Sequence, residues 1–263
     1  MSIAQQSAKT AEVALFFRVL GDQTRLIIVQ LLTFSDRRAG EIAEHLQLPQ
    51  NAVSYHLKQL RAVGLLRDRR SSADGRDVYY SVDQERLGAL YRQAGVALQR
   101  DHADRWTAID SATKLDRPLR LLFLCTHNSA RSQFAEGIAR RVGGAAVAAH
   151  SAGDTPNGLH PITSALLREW SIDPSDQMSK PLDTFAGQPF DYVITVCDRV
   201  REHCPTFPGE PQQLHWSIPD PTAAPEAERW AAFRAVRHEI DVRVRHLLRA
   251  QIPNADDNAA NAA

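Results

Sequence analysis

Between Ala11 and Leu32 apolar residues recur every three to four positions, with a break at Gly21-Asp22. That spacing predicts an amphipathic helical stretch interrupted there. Ala39 to Leu46 reads as a short helix, and Leu48-Pro49-Gln50-Asn51 as a turn and cap. Ala52 to Arg61 reads as a second helix with Val53, Leu57 and Leu60 on one face, stopped at Gly64. The pattern then shortens to two strands, Leu65 to Arg70 and Asp77 to Val82, joined by Ser71-Ser72-Ala73-Asp74-Gly75, where Asp-Gly is a hairpin signal. A last helix is predicted from about Gln84 to Trp106. Helix, turn, helix and a two-stranded wing make a mainly α winged helix-turn-helix.

From about Pro118 the pattern changes to alternating strands and helices. Strands are predicted at Arg120 to Leu124, Ala145 to Ser151 and Tyr192 to Val196, and helices at Ser132 to Val142, Pro161 to Trp170 and Glu226 to Ala250. Such alternation implies a three-layer α/β domain, a parallel sheet covered on both faces. The expected division is 1–104 for DNA binding and dimerisation, 105–117 as linker, 118–252 as the α/β domain, and 253–263 as a disordered Ala/Asn/Asp-rich tail.

The 263 residues suffice for two domains, and a hydrophobic content of 43% is that of a globular protein. Formal net charge is zero, so any case for nucleic acid must be local. No apolar stretch approaches a membrane span, and Met1 to Gln6 does not read as a signal peptide, so a cytoplasmic protein is expected. Only three cysteines occur, Cys125, Cys197 and Cys204. An odd number in a reducing compartment favours chemistry at sulfur over structural disulfides.

The apolar run Leu121 to Leu124 ends at Cys125, and the loop Thr126-His127-Asn128-Ser129-Ala130 leads to Arg131-Ser132 and a helix. A strand, tight loop and helix start leave backbone N–H groups at the positive end of the helix dipole, a cradle for a tetrahedral oxyanion. That field favours a thiolate at Cys125, and the Arg131 fork can grip two anion oxygens. Ser132 can hydrogen-bond the thiolate. Asp220-Pro221 offers an acid to protonate a departing oxygen.

In the first domain the exposed face of the second helix carries Gln50, Asn51, Ser54, Tyr55, His56 and Lys58, side chains able to read base edges or phosphates. From Arg37 to Arg76 there are eight Lys/Arg against four Asp/Glu. Arg67, Arg69, Arg70 and Arg76 of the wing suit backbone or minor-groove contact. Leu20-Gly21-Asp22-Gln23-Thr24-Arg25-Leu26, Ser54 to Leu60 and Gly64-Leu65-Leu66 make residues 11–90 resemble the ArsR/SmtB family of winged-helix repressors. The resemblance implies a homodimer that leaves its operator when an inducer binds. Metal-sensing members commonly carry a cysteine pair near the position of Ala39 to Ala43, and this chain has none there. Asp101, His102 and Asp104 are crowded at one end of the last helix, so no metal site is expected.

Residues 118–250 resemble low-molecular-weight phosphotyrosine phosphatases, and more closely the thioredoxin-coupled arsenate reductases on that fold. The likeness rests on Cys125 to Ser132, Glu136-Gly137, Ser151-Ala152-Gly153, Gly158 to Pro161, the Cys197/Cys204 spacing, His215-Trp216 and Asp220-Pro221. It implies that Cys125 attacks arsenate, Cys197 resolves the adduct as arsenite leaves, and Cys204 carries the disulfide outward. Thioredoxin is then the reductant, with no tightly bound cofactor. A helix would hold residues seven apart at about 10 Å, beyond the roughly 7 Å a disulfide tolerates, so the 197–204 segment is expected to change shape on oxidation. Some relatives hold a potassium ion at positions matching Asn128, Glu136 and Ser151 plus an acidic residue. Here the acidic position aligns with Lys180, whose ammonium can replace the ion.

Two other readings remain open at this point. One is a phosphatase fused to a regulator. The other is a regulator whose second domain only senses, with arsenite taken up by the catalytic sulfurs.

Overall fold

The computed structural model describes residues 3–73, 75–97 and 117–252. Of these, 3–71 and 75–97 form one compact unit, and 72–73 and 117–252 another. The expected linker 105–117 apart from Arg117, the tail 253–263, the end of the last N-terminal helix and Asp101, His102 and Asp104 lie outside the described residues.

In the first unit α1 (Ile3–Leu20) and α2 (Gln23–Phe34) meet at the predicted break. Asp22 caps α2 by accepting from the Arg25 amide at 2.9 Å. Then follow β1 (Arg37–Arg38), α3 (Ala39–Leu46) and α4 (Gln50–Ala62). The wing is β2 (Leu66–Arg70) and β3 (Val78–Val82), and α5 (Gln84–Ala97) packs on α1. Val53, Leu57 and Leu60 of α4 face a core of Ile28, Leu32 and Ile42. Gly64, at φ 72°, turns the chain out of α4 in the left-handed region, which glycine tolerates best. Sequence periodicity missed β1, which adds antiparallel to the far side of β3, giving the order β1-β3-β2. Two polar residues carry no period.

The second unit is a four-stranded parallel sheet of β4 (Leu119–Cys125), β5 (Val147–Gly153), β6 (Tyr192–Thr195) and β7 (Gln212–His215), ordered β5-β4-β6-β7. Its helices are α6 (Arg131–Gly143), α7 (Pro161–Glu169), the short α8 (Asp198–Glu202) and α9 (Arg229–Gln251). Helices α6, α7 and α9 pack on one another, and α6 lies on β4 and β5. Strand β5 begins two residues later than expected because Gly144–Ala146 winds into a 3-10 turn. Strand β7 was not predicted; it is an edge strand whose first two residues are exposed polar side chains. After β4 the chain goes to one side, to β5, and then crosses to the other, to β6. The carboxyl end of β4 is therefore the switch point, where open α/β sheets leave a crevice for ligands. Cys125 sits there.

Among the described residues no helix is long and apolar enough to cross a membrane.

Candidate active site

Cys125 ends β4, and the loop Thr126–Ala130 delivers the chain into α6 at Arg131. The loop's carbonyls are fastened from outside by distant segments. Cys125 O accepts from Asp154 N (3.3 Å), Thr126 O from Thr155 N (2.8 Å), His127 O from Asn157 N (3.1 Å) and Ser129 O from His160 N (3.0 Å). Asn128 O accepts from Ser179 Oγ (2.6 Å) and Gln133 Nε2 (3.0 Å). In a trans peptide the carbonyl and the following N–H point opposite ways. Each carbonyl held outward therefore turns the next N–H inward, from residue 126 through 130. Asn128 N shows the result directly, donating to Cys125 Sγ at 3.2 Å. Asn128 itself takes φ 45°, a region asparagine tolerates better than most residues.

A buried polar chain supports the sulfur. Asn128 Nδ2 donates to Ser132 Oγ (2.9 Å) and to Ser151 Oγ (2.8 Å). With its oxygen accepting there, Ser132 has its hydroxyl hydrogen for Cys125 Sγ, 2.9 Å away. Ser151 in turn donates to the carboxylate of Glu136, which is 0% exposed. Arg140 and Lys180 share that buried charge, with Lys180 Nζ 3.4 Å from Glu136 Oε2. Lys180 N also donates to Asn128 Oδ1 at 2.7 Å. The ammonium thus lies at the end of the chain that sets the loop's central residue.

Arg131 is 5% exposed, and its guanidinium is aimed by Ile218 O (3.1 Å) and Asp220 Oδ2 (2.8 Å). Burial pushes the Asp220 carboxyl up, but the Arg131 charge and the hydrogen bonds from Thr222 outweigh it, holding the group below the usual carboxylate range. His127 is exposed, its Nδ1 3.2 Å from Thr155 O.

All three cysteines are unpaired thiols. Cys197 is buried with its Sγ 3.4 Å from Thr126 Oγ1 of the loop. Burial pushes its thiol up, against the pull of the Arg131 charge. Cys204 is half-buried, contacts Pro205 O at 3.7 Å, and is pushed up to about 11 by burial. So the fold gathers Cys125, Arg131, Ser132, Asp220 and Cys197 at one crevice. Cys204 stands seven residues on, past the end of α8. Sequence reasoning missed Gln133, Ser179 and the 154–160 segment as fasteners of the loop, because no local pattern marks a residue that caps a distant carbonyl.

In the first unit Gln50, Asn51, Ser54, Tyr55 and Lys58 are exposed on α4, Tyr55 at 57%. His56 departs from that expected face. Its side chain is 16% exposed and turned towards Asp22, with Nδ1 and Oδ1 3.7 Å apart. In the wing Arg70 and Arg76 are exposed and Arg69 is half-buried. Arg67 is held by Asp83 at 2.7 Å.

A cysteine at a strand's switch point, a loop of inward amides and a buried arginine make a candidate oxyanion site on an α/β sheet. Residues 120–257, just over half of the chain, match the low molecular weight phosphotyrosine protein phosphatase family, and the chain belongs to it. Residues 22–68 match the bacterial regulatory protein, arsR family, so the first unit carries an ArsR-family helix-turn-helix. An arsenate reductase of Halalkalibacterium halodurans is 38% identical over 127 residues, which are 48% of this chain and 91% of that protein. One of Bacillus subtilis (strain 168) is 39% identical over 127 residues, again 48% and 91%. A solved arsenate reductase in a phosphate-binding state is 31% identical, covering 51% of this chain and 98% of its own, with a TM-score of 0.42.

Proposed function

We propose that the chain joins an operator-binding repressor to an arsenate reductase working through a Cys125–Cys197–Cys204 relay. The observation that carries this reading is the position of Cys197, a second thiol against the oxyanion loop and within the field of Arg131. A phosphatase acting through Cys125, Arg131 and Asp220 has no use for it. The arsenate reductases at 38–39% identity favour the same choice.

In this mechanism the inward amides of the loop and Arg131 hold arsenate against Cys125. The thiolate attacks arsenic, and Asp220 protonates the oxygen that leaves as water. Negative charge on the bound anion draws Arg131 and raises the Asp220 carboxyl, which is how an acid held low in the free enzyme regains its proton. Cys197 then attacks Cys125 Sγ. The S–S bond forms, the S–As electron pair passes to arsenic, As(V) becomes As(III), and arsenite departs. Cys204 attacks Cys197, freeing Cys125 and leaving a Cys197–Cys204 disulfide. A dithiol protein, thioredoxin by the resemblance above, accepts that disulfide.

The decisive experiment is thioredoxin-coupled turnover with arsenate. Wild type should produce arsenite continuously, and Cys197→Ser should not. Wild-type hydrolysis of phosphoesters without arsenate turnover would favour the phosphatase instead.

For the first unit the reading is an operator-binding homodimer in the cytoplasm, its DNA-binding part supported by the exposed Asn51, Ser54, Tyr55 and Lys58 beside the basic wing. Lys58→Ala and Arg70→Ala should each weaken duplex DNA binding about equally across sequences and lower the salt slope by about one. Asn51→Ala should relax sequence preference.

A further inference from the structure

The mechanism above leaves a buried charge beside the resolving thiol without a task. Asp198 follows Cys197 directly and opens α8, and it is 0% exposed. One carboxylate oxygen accepts from His215 Nε2 at 3.1 Å and from Ser217 Oγ at 2.7 Å. Nδ1 of the same imidazole lies 2.9 Å from Thr195 Oγ1, at the end of β6. Thr195, His215 and Ser217 are themselves buried. A carboxylate taken fully out of water costs several kcal/mol unless donors surround it, and these donors hold one of its two oxygens.

The segment that supplies them also serves the anion clamp. Trp216 N donates to Thr195 O at 2.8 Å, continuing the β6–β7 pairing, and Ile218 O two residues later accepts from Arg131. Residues 215–220 therefore hold both the guanidinium that grips substrate and the carboxylate next to the resolving thiol. Sulfur attack on a Cys125 adduct needs the two sulfurs within about 3–3.5 Å and in line. Yet α8 is one short turn, and in the proposed relay the chain beyond it brings Cys204 onto Cys197. Cys197 needs an anchor that does not depend on the rest of α8.

We propose that Asp198, held by His215 and Ser217, is the positioning residue that keeps Cys197 aimed at Cys125 while the following segment moves. It touches neither substrate nor sulfur in this role. The chemistry is unchanged: arsenate is the oxidant, Cys125 and Cys197 are oxidised to a disulfide, and two electrons pass to arsenic.

The proposal rests on the reductase reading, and the test separates the two. Reduced full-length protein is mixed with arsenate without reductant, and arsenite release and the Cys125–Cys197 and Cys197–Cys204 disulfides are followed by rapid acid quench and mass mapping. In parallel, protection of Cys125 from alkylation by inorganic phosphate reports on the oxyanion site alone. Asp198→Ala should release arsenite roughly ten- to a hundredfold more slowly with phosphate protection unchanged. Asp198→Asn should recover part of the rate, since its one amide oxygen can still accept from His215 and Ser217. Should the alanine variant fail to fold, Ser217→Ala takes its place, with a smaller slowing expected. Wild-type rates in these variants overturn the proposal, and so does a slowing matched by lost phosphate protection, which would make Asp198 merely structural. A wild type that forms neither arsenite nor disulfide overturns the reductase reading instead.

Discussion

A Cβ atom placed on Gly153 would lie 2.7 Å from the backbone nitrogen of Asn128. It would also stand 2.9 Å from Thr126 O. Glycine here lets the end of β5 run against the oxyanion loop closely enough for the next residues to take the loop's carbonyls. Neither obstacle is a flexible side chain, so the loop itself must shift. Gly153→Ala should cost about 1–3 kcal/mol of stability by overpacking and abolish phosphate protection of Cys125. Urea unfolding and alkylation kinetics check both. A variant that still protects Cys125 would show that the loop tolerates displacement.

Asp220 gives a pH signature. Its carboxyl is held below the usual range in the folded protein, so it contributes stability above the unfolded value, lost as pH falls through the lower folded one. Wild type should exceed Asp220→Asn in stability at pH 7, with the gap closing below about pH 4. The same variant should lose about a hundredfold or more in arsenate turnover, the contribution of a positioned general acid. Denaturation midpoints across pH 3–8 and steady-state rates measure the two effects.

The Cys204 thiol is pushed up to about 11. At pH 7 only about one molecule in ten thousand carries the thiolate, from the four-unit gap. In the proposed relay the last step therefore needs the segment to open first. Iodoacetamide labelling of Cys204 in the reduced protein should climb about tenfold per pH unit towards pH 11. A plateau near pH 8 would mean that the thiol is already exposed at rest.

Lys180 supplies the positive charge that the Glu136 carboxylate faces from the loop side. Lys180→Ala should destabilise the protein by about 1–3 kcal/mol, because a fully buried carboxylate then keeps Arg140 as its countercharge with only the Ser151 hydroxyl beside it. Wild-type turnover should be flat between sodium and potassium salts, while Lys180→Ala should become cation-dependent. Wild-type activity that rises steeply with added potassium would show that the ammonium does not fill this role.

The sequence by itself determined what is local. The period of α4, the Asp-Gly signal at the wing tip, the apolar run into Cys125 and the six-residue step to Arg131 each lie within one element or one turn. Neighbouring side chains decide such features, so spacing exposes them, and the change of pattern near Pro118 and the candidate nucleophile could be read from it. The tertiary structure decided which way the loop's peptides face, because the donors that hold them are Thr155, Asn157, His160 and Ser179, some 29 to 51 residues away in the chain. It turned His56 towards Asp22, out of the expected reading face, through a contact between α4 and the cap of α2. It also placed Asp198 beside His215 and Ser217, and Lys180 beside Glu136. A buried charge takes its meaning from partners brought to it by chain crossings, and no periodicity along the chain encodes those.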